Sequence, residues 1–171
     1  MALITKDNVA PFLDINKSLD FSNCDWTRIC KSEIFELTIG ENEEERNFIC
    51  FAGPSTDVTD NNIELPQENI MDTSDPMYPF LMEQIKSLPI GEDCQVPFLL
   101  CFPDDETGKF ANGADAWRMI VTLTGKVLNT PDKKISYSIK KYSDVERGTY
   151  SVTEDASGNK VVDFVEATTT P

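Results

Sequence analysis

The sequence predicts a mainly β protein, a β-sandwich or barrel with one flanking α-helix. Most apolar segments alternate with period two, best in Trp117-Arg-Met-Ile-Val-Thr-Leu-Thr124. There Trp117, Met119, Val121 and Leu123 point one way, and Arg118, Thr122 and Thr124 the other. One segment alone, residues 75–88, places apolar residues at helical spacing, with Met77, Phe80, Leu81, Ile85 and Leu88 on one face. A helix with a single apolar face needs an apolar surface beneath it, and strands are what the rest of the chain offers. Asp75 reads as its N-cap, Pro76 as its first residue, Lys86 as a cation suited to the C-terminal end and Pro89 as its stop. Pro79 is harmless only in the first turn, where no N–H is needed.

The remaining elements follow in order. Residues 1–23 mix Leu3, Val9, Phe12, Leu13 and Ile15 with polar residues in no sustained period, which predicts an extended N-terminal arm. Residues 26–30 and 34–39 read as strands, the second with Phe35, Leu37 and Ile39 on one face. Residues 40–46 read as an acidic connection, and residues 47–52 as a short strand. Residues 53–74, rich in Pro, Asp, Asn and Thr, read as a long loop, and loops of that length tend to be functional or bound to something. Residues 95–102 form a near-continuous apolar strand in which Pro97 argues for an edge, a strand start or a bulge. Residues 135–140 repeat the alternation, and residues 150–152 and 161–165 pair as a hairpin through residues 156–159.

The 171 residues suffice for one domain without disulfides, divided into an arm at 1–23, a β domain at 24–165 and a tail at 166–171. Thirty acidic against fifteen basic side chains leave a net charge of −15, which disfavours direct binding of nucleic acid or an anionic membrane. No run approaches the roughly 20 apolar residues of a membrane span, and the first residues lack a signal-peptide layout, so a cytosolic setting is expected. The five cysteines, Cys24, Cys30, Cys50, Cys94 and Cys101, show no Cys-x-x-Cys spacing and read as buried, reduced thiols.

Little in the sequence carries chemistry. The absence of histidine removes Ser-His and Cys-His nucleophiles, His-ligated zinc and the usual general base near neutral pH. No spacing selects a catalytic pair among the carboxylates. Glu41, Glu43, Glu44 and Glu45, or Asp104, Asp105 and Glu106, could gather a hard cation, but neither run matches a calcium loop, and solvated acidic turns explain both. No phosphate-cradling glycine loop is present. The expectation is a protein that is no enzyme and holds no cofactor or metal. Charge is unevenly spread: residues 41–75 are acidic with Arg46 as their one base, whereas Lys126, Lys133, Lys134, Lys140, Lys141 and Arg147 lie in the later strands. That polarity suits contacts between copies, and equally a solvated face with scattered ion pairs.

With the order of elements laid out, the chain resembles the major tail tube proteins of long-tailed, siphovirus-like bacteriophages. The resemblance is carried by Trp26-Thr-Arg-Ile29, Ile34-Phe-Glu-Leu-Thr-Ile39, the Glu-rich turn at residues 41–45 and Asn47-Phe-Ile49. It continues through Asp75-Pro-Met-Tyr-Pro-Phe80, Gly91-Glu-Asp93, the 117–123 and 135–139 strands, and a small turn at Arg147-Gly-Thr149. It spans residues 25–152, and the order of the motifs persuades more than any one of them. Two departures stand out, a more heavily charged acidic turn and Val145-Glu-Arg147 where the family has Gly-Asp before Gly148.

The resemblance implies a structural virion protein whose hexameric rings stack into a tube that conducts double-stranded DNA without specific binding. Its partners would be copies of itself and other tail proteins at the tube ends, with no membrane anchoring; it would reside in the virion tail after assembly in the host bacterial cytoplasm. Ring stacking would use the 53–74 loop, with Gly53, Pro54, Asp57, Asp60, Pro66 and Glu68, and the N-terminal arm. Lys133, Lys140, Lys141 and Arg147 are candidate basic groups between subunits. The net negative charge would suit a lumen that repels DNA, or an outer surface kept soluble. The alternatives are another tail component of the same fold group, a terminator or contractile-tail inner tube, and a monomeric acidic β-domain that binds a protein or carbohydrate.

Overall fold

Apolar side chains two residues apart along four strands meet inside a ring of strands. The computed structural model describes residues 9–47 and 54–167. Within them lie β1 (Ala10–Asp14), β2 (Trp26–Arg28), β3 (Thr38–Asn47), β4 (Pro54–Ile70), α1 (Met77–Lys86), β5 (Gln95–Cys101), β6 (Asp115–Asn129), β7 (Lys134–Lys141), β8 (Glu146–Glu154) and β9 (Lys160–Glu166). All pairings are antiparallel, in the order β2-β1-β5-β6-β7-β4-β3, with β8 on β6 and β9 on β8.

The order closes on itself. Just after β2, Lys31 O accepts the Ile70 N–H at 3.0 Å, the Glu33 N–H reaches Glu68 O at 3.0 Å, and Ser32 bridges Asn69. The chain that begins beside β1 thus ends beside β4, and the barrel has no gap there. Its interior holds Ile63 and Leu65 of β4, Val96, Phe98 and Leu100 of β5, Met119, Val121 and Leu123 of β6, and Ile135, Tyr137 and Ile139 of β7, with Met77 and Leu81 of α1 packed into the same core. The period-two spacing of each set is what a strand with one face inward requires.

A second, smaller core lies on the other face of β1 and β5. Ala10, Phe12, Leu99, Cys101 and Ala116 are covered there by the β8–β9 hairpin through Tyr150 and Val162. All residues of β1 and β5 are buried, which explains why β5 reads as an unbroken apolar run. The Tyr150 hydroxyl donates to Phe102 O at 3.0 Å and accepts the Ala111 N–H at 3.0 Å, and its ring stacks on Phe110. Gly148 lies inside β8, where a Cβ would stand 2.3 Å from Val165 O and 2.6 Å from Phe164 Cζ. Its role is close approach of two strands, not the turn expected at Arg147-Gly-Thr149.

Several expectations need correction. The arm begins outside the described residues, but residues 10–14 form a barrel strand, and residues 15–25 are tied to the buried Asp14 carboxylate. That group accepts the N–H groups of Asn16, Ser18 and Asp25. Of the 34–39 strand only Thr38 and Ile39 are in β3; Phe35 and Leu37 instead pack on the barrel core from an irregular segment. The acidic connection at 40–46 is the body of β3, and the loop at 53–74 is mostly β4. A strand ladder bonds through main-chain groups alone, so polar side chains did not prevent it. The 47–52 strand falls largely outside the described residues, as do Gly53, Cys50 and the Thr-rich end.

Both interior prolines sit where a missing N–H is harmless. Pro97 is in a central strand, not an edge, but β1 pairs no further than Leu13 with Phe98, and the Ile120 N–H opposite Pro97 goes to Ser143 Oγ at 2.8 Å. Pro66 falls between the β3 contact at Glu64 and the Glu33–Glu68 bond. The helix is shorter than expected. Asp75 Oδ1 accepts the Met77 N–H at 3.1 Å, and Ser87 closes onto Glu83 O. Leu88, in the left-handed region at φ 48°, turns the chain away, so that Leu88 is exposed instead of lying on the apolar face.

Candidate assembly surfaces

Beyond Glu64, β4 leaves β7 and keeps only β3 as a neighbour. The result is a ribbon of ten cross-strand pairs, from Thr38 with Glu64 to Asn47 with Pro54, bulged at Thr59, whose hydroxyl donates to Asn42 O at 2.9 Å. At roughly 3.3 Å per residue it reaches about 30 Å from the barrel. Residues 38–45 and 56–62 are exposed, including Ile39 and Val58. Two strands alone are marginal in water.

The ribbon base is braced by the candidate basic groups. Lys140 Nζ lies 3.5 Å from Glu64 Oε1, which also accepts the Ser138 hydroxyl at 2.8 Å, and Lys141 Nζ lies 2.9 Å from Asp60 Oδ1. Lys134 pairs with Glu33 and, at 3.7 Å, with Glu68. The Ser138 hydroxyl holds the Glu64 carboxyl below its ordinary value, and the Lys141 hydrogen bond does the same for Asp60. Lys140, Lys141, Asp60 and Glu68 therefore meet within the chain, and Asp57 and Lys133 stand apart in the exposed ribbon and the β6–β7 turn. Arg147 is exposed beside Trp117, where a cleft of about 540 Å³ separates it from Ile39 and Val58 of the ribbon.

Among the described residues no group of three or more His, Cys, Asp or Glu side chains could hold a metal ion. Asp104 instead caps its own turn, accepting the Glu106 and Thr107 N–H groups. Cys101 is buried and Cys24 half-buried, and burial pushes both thiols up to about 12, whereas Cys30 is exposed, contrary to expectation. No helix among the described residues is long and apolar enough to cross a membrane.

This arrangement of barrel, helix and covering hairpin has a solved counterpart. The chain shares its fold with a chain of a prophage baseplate. It is similar to a chain in the cryo-EM structure of the anti-feeding prophage (AFP) baseplate, 6-fold symmetrised, with a TM-score of 0.50 at 8% identity over 87% of this chain and 97% of that one. No family model matches the sequence, and no curated protein matches it. At that identity the likeness speaks for the fold.

The exposed ribbon escaped sequence reading because its strands are polar on both faces. The available signal was two polar runs of similar length, 38–47 and 54–63, each with β-branched residues and no helical period.

Proposed function

We propose that this protein is a structural, non-enzymatic subunit of a phage tail or tail-like particle, assembling as six-fold rings that stack into a tube. The observation that carries the reading is the acidic ribbon, a two-stranded element exposed over residues 38–45 and 56–62, whose marginal strands would gain a second face on another molecule. The fold supports it, since the AFP baseplate chain comes from a six-fold symmetrised assembly. A closed barrel braced by a helix and a hairpin supplies a rigid scaffold from which the ribbon projects.

In this reading the partners are copies of the same chain and other tail proteins at the tube ends, and no cofactor takes part. Double-stranded DNA passes through the lumen without specific contacts, and a net charge of −15 opposes its adhesion. The protein resides in the virion tail after assembly in the bacterial cytoplasm.

The baseplate likeness favours one second reading, a ring at the end of a tail instead of its repeating tube. Electron microscopy of the purified full chain separates the two. Long hollow tubes with a regular ring repeat are expected for the first, isolated rings for the second, and a monomer that persists at high concentration sinks both.

A further inference from the structure

The chain has one Asn-Gly pair, Asn112–Gly113, and both residues are exposed. In an unconstrained chain such a pair is chemically labile. Glycine has no side chain to shield its nitrogen, so the Gly113 nitrogen can attack Cγ of the Asn112 amide. A new N–C bond closes a succinimide while the Gly113 proton passes to solvent and the side-chain nitrogen leaves as ammonia. Water then opens the ring, at Cγ to give aspartate or at the main-chain carbonyl carbon to give isoaspartate. The balance is an amide and water for an acid and ammonia.

The fold keeps the reacting groups apart. Residues 111–114 make a type II β-turn: the Ala114 N–H donates to Ala111 O at 3.2 Å, and of the central residues only Gly113, at φ 88°, has a positive φ. In this turn type the peptide between Asn112 and Gly113 turns its nitrogen away from the Asn112 side chain. Both groups are also bonded to β8. The Gly113 N–H donates to Tyr150 O at 2.8 Å, and Asn112 Oδ1 accepts the Val152 N–H at 3.0 Å. The ends of the turn are pinned as well, with the Ala111 N–H on the Tyr150 hydroxyl at 3.0 Å and the Tyr150 N–H on Ala114 O at 3.1 Å. The ladder between β6 and β8 stops at Asp115 with Thr149, and beyond it the Asn112 side chain takes the place of a strand carbonyl.

We infer that Asn112 is a deamidation site gated by β8, unreactive while the 111–114 turn is docked and reactive when the turn lifts away. Isoaspartate makes that opening permanent. It adds a methylene to the main chain, so Ala111 and Gly113 can no longer both reach Tyr150. Aspartate keeps the chain length and an acceptor oxygen for Val152, and leaves the clasp in place.

The test follows conversion of Asn112 in the full chain by peptide mapping, in native buffer and in urea at the same pH and temperature. The native chain should convert more slowly by roughly ten-fold or more, because the open population sets the rate and several hydrogen bonds must break together. Tyr150→Phe removes the hydroxyl that holds Ala111 and spares the bonds of Asn112 and Gly113. Its native-state conversion should rise about three-fold or more while circular dichroism reports a folded chain. Hydrogen exchange at Gly113 should be faster in the purified isoaspartyl protein than in the unconverted chain, and unchanged in Asn112→Asp. Equal conversion in native buffer and in urea overturns the gate, as does a folded Tyr150→Phe chain no faster than the unsubstituted one. Should Tyr150→Phe not fold, the urea comparison decides. A chain in urea that converts at other asparagines but not at Asn112 overturns the site, and unaltered Gly113 exchange in the isoaspartyl protein overturns the permanent opening.

Discussion

The Arg118 guanidinium lies 4.5 Å from the centre of the Phe164 ring, and the Phe21 ring covers it from another side at 4.3 Å. Its Nε donates to Glu146 at 2.7 Å and its Nη2 to Glu166 at 2.9 Å, so that one side chain of β6 ties together the β8–β9 hairpin and the 15–25 segment. The carboxylates are exposed, and exposed pairs contribute little; the ring contacts, about 1 kcal/mol each, weigh more. Arg118→Met should therefore destabilise the fold by roughly 1–3 kcal/mol in urea denaturation. Arg118→Lys should recover only part, because an ammonium keeps the charge but not the flat stacking surface. Full recovery by lysine would show that charge alone matters here.

Gly148 makes a second, sharper case. A methyl group there meets Val165 O and the Phe164 ring at distances no Cβ tolerates, and the Val165 carbonyl, being backbone, is not free to swing away. Gly148→Ala should cost about 1–3 kcal/mol through forced separation of β8 and β9. The loss should vanish in combination with Phe164→Ala only so far as the ring causes it; the Val165 carbonyl contact remains. Denaturation midpoints of the single and double variants measure the split.

Acid should loosen the ribbon base and the helix lead-in before it unfolds the barrel. Asp60, Glu64 and Asp72 are all held below their ordinary values, by hydrogen bonds from Lys141, from Ser138 and from Lys31 respectively. For a carboxyl whose folded value is depressed, the stabilisation is present above its unfolded value, about 4, and is lost as pH falls through the folded value. The described contacts should thus be insensitive between pH 5 and neutrality and weaken below about pH 4. Amide exchange of residues 56–64 should rise in that window in the native chain, while Lys141→Met should show the faster exchange already at neutral pH. Unchanged exchange in Lys141→Met would remove the ion pair from the account of bracing.

The barrel was legible from period-two alternation wherever a strand has one dry face, as in β6 and β7, and the helix from its single apolar stripe. The tail tube resemblance led to the same fold class. Among strands without that asymmetry, β5 could be read from its unbroken apolar run, but two others could not. β1 is buried on both faces and resembles an apolar arm; the ribbon is wet on both faces and resembles a loop. The basic residues were legible as a group but not by partner. Lys140 and Lys141 meet Glu64 and Asp60 because β7 pairs with β4, a register that composition does not contain. Arg118 escaped notice for the same reason, its two rings coming from residues 21 and 164.

Removing residues 53–74 as though they were a loop should unfold the protein, since β4 supplies Ile63 and Leu65 to the core and closes the barrel against β7 and residues 31–33. The ribbon must be shortened symmetrically to test its role. Asn42 and Asp60 are cross-strand partners, so replacing residues 43–59 by Asn-Gly joins them through a two-residue hairpin turn while retaining Asp60 for Lys141 and Glu64 for Lys140. What is removed buries nothing among the described residues, so the melting temperature should hold. Assembly should nevertheless be lost, with rings or monomers in place of tubes by sedimentation velocity. The two measurements separate folding from stacking: an unfolded product would place the ribbon in the core's stability, and tubes of undiminished length would show that stacking proceeds without it.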